Sequence, residues 1–108
     1  MTLLRKFAFL LVGVLAMAPS WSWDGTQIGT VTQIDVTDGN NFGIRVYLSS
    51  GVYMCTGSTQ YWGYLNSTDS NYTAYVATIM TAKATGARLT VWTTNVNGYC
   101  HIGYLQMA

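Results

Sequence analysis

NYTAYVATIMTAKATG, residues 71–86, decides the architecture of this chain, because it is the one helical stretch in a sequence otherwise written for strands. Tyr72, Tyr75, Val76, Ile79, Met80 and Lys83 recur at i, i+3, i+4, i+7, i+8 and i+11, one stripe of an α-helix. The Lys83 stem can lie along that stripe with its charge in water. Asp69-Ser70-Asn71 supplies short oxygen-bearing side chains for the free amides of a helix start. Gly86 stands where a left-handed C′ residue belongs. The expectation is a helix of about four turns, laid on a sheet or across the end of a barrel.

Everything around that helix reads as strand. Upstream, GTVTQIDVT (residues 29–37) runs into the turn Asp38-Gly39-Asn40-Asn41. Phe42, Ile44, Val46 and Leu48 then alternate with Gly43, Arg45, Tyr47 and Ser49, a period of two that buries one face. Ser49-Ser50-Gly51 turns the chain into a third extended segment. It starts at residues 52–55, is interrupted at Gly57 and resumes at residues 61–65. Downstream, RLTVWTT (residues 88–94) places Leu89 and Val91 opposite Trp92. Asn97-Gly98 is a two-residue hairpin turn. The last strand, YCHIGYLQ (residues 99–106), is expected to put Cys100, Ile102 and Tyr104 on one face and Tyr99, His101, Gly103 and Leu105 on the other.

The order strand, strand, strand, helix, strand, strand resembles the OB-fold, a five-stranded Greek-key barrel with its helix between the third and fourth strands. The alternative is an α+β sheet with one helix on a face. The two cysteines, Cys55 and Cys100, favour the barrel. In OB-folds the third and fifth strands run side by side in parallel, and these cysteines fall near the starts of both. A meander would bring them within disulfide reach only by accident. The bridge is worth roughly 4 kcal/mol on loop entropy, against about 5–10 kcal/mol for a whole domain of this size.

The N-terminus reads as an export signal. Arg5 and Lys6 precede the apolar run FAFLLVGVLAMA (residues 7–18), which is too short to span a bilayer. Cleavage sites compete after Ala18 and after Ser22, the second favoured, which makes residues 1–22 the signal and residues 23–108 a single small β-barrel domain. The alternatives are an N-terminal core helix or an uncleaved anchor. Secretion or a periplasmic location agrees with the disulfide. The remaining domain has Arg45, Lys83 and Arg88 against four aspartates and no glutamate. So weak a field offers nothing to nucleic acid or anionic membranes.

The sequence carries no pattern for catalysis, cofactors or metals. Ser49, His101 and Asp35 lack a nucleophile elbow, and isolated aspartates do not make a glycosidase pair. Cys100 and His101, adjacent on a strand, point to opposite faces and cannot easily share a zinc ion with Cys55. No Cys-x-x-Cys spacing suggests redox work. Expected catalytic residues, metal ligands and cofactors are therefore none. Asn66-Ser67-Thr68 and Asn71-Tyr72-Thr73 match the N-glycosylation pattern, which helix capping and a high Asn and Thr content explain.

What the sequence does offer is aromatic rings: twelve between Trp23 and Tyr104. Alternation forces Tyr47, Trp92 and Tyr99 outward among Thr, Asn and Gln. Ring faces can stack on sugar C–H groups while amides and hydroxyls bond sugar hydroxyls; the same rings also suit a subunit interface. The candidate ligand-binding residues are Arg45, Tyr47, Trp62, Tyr99 and His101. Short exported bacterial proteins with an OB-fold-like pattern, and the B subunits of pentameric bacterial toxins of the cholera and subtilase-cytotoxin kind, are similar over residues 27–106 in strand order, helix position and single bridge. That resemblance implies a homo-oligomeric ring and glycan binding. The competing expectation is an envelope or extracellular protein that binds a protein partner.

Overall fold

The computed structural model describes residues 22–108; the expected signal, apart from its last residue Ser22, and the cleavage site expected after Ala18 lie outside that range. Five strands and one helix follow in the order β1 (Gly25–Val36), β2 (Ile44–Leu48), β3 (Trp62–Leu65), α1 (Tyr72–Thr85), β4 (Arg88–Val96) and β5 (Tyr99–Met107). The strands close into a ring in the order β1-β2-β3-β5-β4, with β4 returning to β1. All neighbours are antiparallel except β3 and β5, which run parallel.

The strand β1 makes closure possible. Gly25 to Thr30 pair with β4, while Val31 to Val36 pair with β2, and an irregularity between Val31 and Gln33 bends the strand where it changes partner. Bulges bend strands and tighten their twist, which a small ring requires. Inward residues from every strand then meet: Val31, Val46, Leu65, Val91 and Ile102 form the core with Ile79 and Ala82 of α1. Thr93 is a buried polar exception, and its hydroxyl donates to the Met54 carbonyl (3.4 Å).

The cysteines are joined. Cys55 and Cys100 form a disulfide with their Cα atoms 5.9 Å apart, and both are buried. Gly63 pairs with Cys100 and Tyr64 with His101, so the bridge sits at the parallel β3–β5 seam. Cys55 is not on a strand, however. Residues 52–55 belong to a loop that Met54 N–H closes by donating to the Gln60 carbonyl, and β3 begins only at Trp62. That loop is tied to the barrel by Thr56 N–H to the Asp24 carbonyl and by the Asn95 amide to the Thr56 carbonyl.

The helix matches its expected bounds, and Gly86 caps it in the left-handed region (φ 74°). Its buried stripe is rotated from the expected one. Ile79 and Ala82 are buried with Tyr72, Tyr75 and Val76 packed beside them, whereas Met80 is 46% exposed and Lys83 also faces solvent. Alanine on the barrel side allows close approach, and the longer Met80 is turned out. The start differs too. Asn71 is left-handed (φ 63°) and makes no side-chain cap, and Asp69, the other cap candidate, is used elsewhere. Its Oδ2 accepts from Asn66 N–H at 2.8 Å.

Two further expectations about facing are corrected. Phe42 does not join Ile44, Val46 and Leu48 in the core. It adopts a left-handed backbone (φ 53°), its N–H donates to the Asn66 side-chain oxygen, and its ring lies on the outer face. In β5, alternation breaks at Gly103: Thr93 pairs with Ile102 but Trp92 with Tyr104. One extra residue reverses every later side chain, so Tyr104 faces outward and Leu105 packs against the core.

Among the described residues no helix is long and apolar enough to cross a membrane.

Candidate functional site

The outer surface of the ring carries two aromatic faces of opposite character. The first spans β2, β3 and β5 and gathers all five candidate residues. Arg45 pairs with Tyr64 and Tyr47 with Trp62 across β2 and β3, while His101 pairs with Tyr64 across β3 and β5. Phe42 leans in from the β1–β2 loop. Its ring centroid is 4.6 Å from Tyr64, 4.7 Å from Tyr99 and 5.8 Å from Trp62.

These groups are spent largely on one another. Trp62 is only 8% exposed. Tyr99 stacks on it at 5.7 Å, and the Arg45 guanidinium carbon lies 4.9 Å from its ring, a cation–π contact. Arg45 also donates to the carbonyls of Phe42 and Asn41, holding the β1–β2 loop over the cluster. Tyr47 donates its hydroxyl to Asp35 (3.0 Å). Burial, then that bond to a carboxylate, push the Tyr47 phenol above its ordinary value; burial and Asp69 do the same to Tyr64. The strand pairing has brought the five residues together as a packed cluster rather than an open platform.

His101 ends this face and begins another feature. Its Nε2 donates to Asp69 Oδ2 (2.8 Å), since a carboxylate can only accept. The contact fixes the loop before α1 against β5. Tyr75, one turn into α1, donates its hydroxyl to the Gly103 carbonyl (2.9 Å), so the helix also holds the β5 bulge.

The second face spans β1, β4 and β5. Trp92 and Tyr104 stack at 4.5 Å with their planes 24° apart, and Trp23 lies 6.5 Å from Tyr104. Trp23 covers Gly103 closely: a Cβ there would lie 2.7 Å from its Cζ3, so no larger residue leaves the indole in place. The segment before β1 is anchored by Asp24, which donates its N–H to the Thr93 carbonyl and accepts from Asn95 N–H. Two of these rings are more open than those of the first face: Tyr104 is 51% and Trp23 38% exposed, while Trp92, stacked on Tyr104, is half-buried like Tyr47 and Tyr99. Around them, Thr26 pairs with Trp92 and Thr90 with Gln106, and Ile28 is exposed beside Thr90.

Sequence reading found Trp92 but missed its neighbours. Strict alternation carried through Gly103 puts Tyr104 on the Cys100 and Ile102 face, opposite to where it lies. A glycine inside a strand pattern is itself a bulge signal, and it was the clue available. Trp23 has no such signal, since its position depends on Asp24 bonds to residues some seventy positions away.

No family model, curated protein or solved structure matches this chain.

Proposed function

We propose that the ring is an OB-fold-type Greek-key barrel and that the protein is an exported binding module taking neutral glycans on its β1–β4–β5 face. The fold reading is supported by the closed order β1-β2-β3-β5-β4, the parallel β3–β5 pair, and a helix between β3 and β4. The functional reading is carried by the exposed Tyr104 and Trp23 rings, which stand beside half-buried Trp92. Flat rings with free faces match the C–H surface of a pyranose, and hydroxyls and amides at the rim match its edges. The residues paired beside the rings, Thr26, Thr90 and Gln106, are uncharged, and the neighbouring Asp24 carboxylate would repel an added anion, which favours neutral sugars over sialylated or sulfated ones.

The site thus lies beside, not on, the Arg45, Tyr47, Trp62, Tyr99 and His101 cluster. Those five side chains set the stiffness of the neighbouring wall. A protein partner is the second reading. It is favoured by Tyr53 and Tyr61, whose rings lie 5.0 Å apart on the β2–β3 loop beside exposed Val52.

The test is a glycan array probed with the folded protein, followed by titration of each hit with tryptophan fluorescence. Neutral glycans are expected to bind, and Trp92→Ala is expected to lose that binding while keeping its melting temperature within a few degrees. A folded protein that binds no glycan, or whose binding survives Trp92→Ala but not a Tyr53→Ala, Tyr61→Ala double change, refutes the placement.

A further inference from the structure

Tyr104 and Gly103 each belong to two features. Besides forming the platform, Tyr104 lines a cleft of about 250 Å³ between α1 and β5, together with Asn71, Tyr75 and Thr78. Gly103, under Trp23, lines a neighbouring cleft of about 320 Å³ with Asp69, Asn71, Tyr75 and His101. The two clefts share Asn71 and Tyr75 and so adjoin each other along the α1–β5 groove, and the first of them reaches the aromatic platform at Tyr104.

The groove differs chemically from the platform. Its polar groups have bonding capacity left over. Both protein donors to Asp69 fall on Oδ2, and no donor of the described residues reaches Oδ1. With Nε2–H of His101 given to Asp69, the Nδ1 atom has no partner among the described residues and is left to bond a ligand. The Asn71 side chain sits at the helix start yet makes no cap bond, leaving its amide with both donor and acceptor capacity. Sugar hydroxyls donate and accept at once, and this set offers both. A simple apolar peptide would bury these groups unpaired, at a cost in affinity.

We infer that the α1–β5 groove is a second subsite, so that the protein binds an extended neutral oligosaccharide: one unit on Trp92 and Tyr104, the next between Asn71, Asp69 and His101. This inference rests on the glycan reading of the platform. It adds that the ligand is a chain rather than a single terminal sugar, and that Asn71 reads the second unit.

The probes are the mono- to tetrasaccharides of two neutral series, N-acetylglucosamine oligomers and malto-oligosaccharides, titrated against the full chain. For the series that binds, affinity is expected to rise on going from mono- to disaccharide and then level off. Asn71→Gly keeps the left-handed backbone at that position and removes the amide. It is expected to leave monosaccharide affinity unchanged and to lower disaccharide affinity about three- to tenfold, the effect of one hydrogen bond. Trp92→Ala is expected to abolish binding of both. Should Asn71→Gly melt early, amide shifts of the unaltered protein carry the test: Asn71 and Tyr75 should move with disaccharide but not with monosaccharide. Affinity independent of chain length, equal losses for both lengths in Asn71→Gly, or unmoved Asn71 and Tyr75 signals overturn the groove while leaving the platform standing. Absence of binding by every sugar overturns both.

Discussion

Replacing both cysteines with alanine tests how the ring is held closed. The bridge links positions 45 residues apart, and the enclosed chain contains β3, α1 and β4. For a loop of that length the chain-entropy relation gives about 4 kcal/mol at 25 °C. In a domain of this size each kcal/mol moves the melting temperature by about 4–8 °C, so the double variant should melt about 15–30 °C lower. Its urea midpoint should fall by about 3–4 M if m is about 1 kcal/mol/M. The loss should have a location as well as a size. Because the β3–β5 ladder pairs only Gly63 with Cys100 and Tyr64 with His101, amide exchange should accelerate there before it does in the longer β1–β4 pairing. Chemical denaturation, with hydrogen exchange read at those amides, measures both. A loss below about 1 kcal/mol, or uniform acceleration across all strands, would refute the reasoning. It would mean that the seam is held by the Phe42–Trp62–Tyr99 packing rather than by the covalent tie.

Gly103→Ala should displace Trp23, because the new Cβ would meet its ring at 2.7 Å; tryptophan emission should shift while the melting temperature changes little, since an exposed ring can move. Leu105→Ala should cost about 1–3 kcal/mol as a partly buried core residue and Tyr104→Ala less than about 1 kcal/mol; urea titration of the pair checks the outward turn after the bulge. Phe42→Ala should cost about 2–3 kcal/mol by stripping contacts from Trp62, Tyr64 and Tyr99, and should make Trp62 accessible to a fluorescence quencher. Tyr47, Tyr64 and Tyr75 have phenols raised above 10.0 in the folded protein, chiefly by burial. The stability this gives is fully present below the ordinary phenol value and is lost as pH rises through the raised values. Unfolding should therefore begin only in that alkaline range, and phenolate absorbance should show these three ionising after the exposed tyrosines.

How much of this was legible in the sequence depended on how local the cause was. The helix between residues 71 and 86 and the Asn97-Gly98 turn (φ 54° and 93°) follow from short-range rules, and both are where the sequence puts them. The disulfide partners were legible because there are only two. The outer faces were not. Phe42 leaves the core because Asn66, in another loop, accepts its N–H, a contact without a sequence pattern. The five candidate residues were brought to one face by strand pairing as alternation requires. Whether that face is open depended on the Arg45 guanidinium settling over Trp62, which only packing decides. Met80 faces away from the core for a related reason: alanines around the helix leave its apolar stripe weakly defined, and the barrel selects the smaller side.

The extra residue at Gly103 makes surface identity a matter of register. Tyr104 faces outward because Gly103 is left out of the ladder, so that Thr93 pairs with Ile102 and Trp92 with Tyr104. Drawing Gly103 into the ladder as an ordinary paired residue would send Tyr104 into the core and Leu105 to solvent, although every residue stays the same. Deleting Gly103 would do the opposite: Ile102 and Tyr104 would become neighbours, and alternation alone would keep one inward and the other outward. A relative without the extra residue would therefore display the same surface on a more regular strand. An alignment that places the gap beyond Tyr104 instead of at residue 103 would pair an inward side chain with an outward one. For this barrel, knowing which residues are paired says more about what it can bind than listing them.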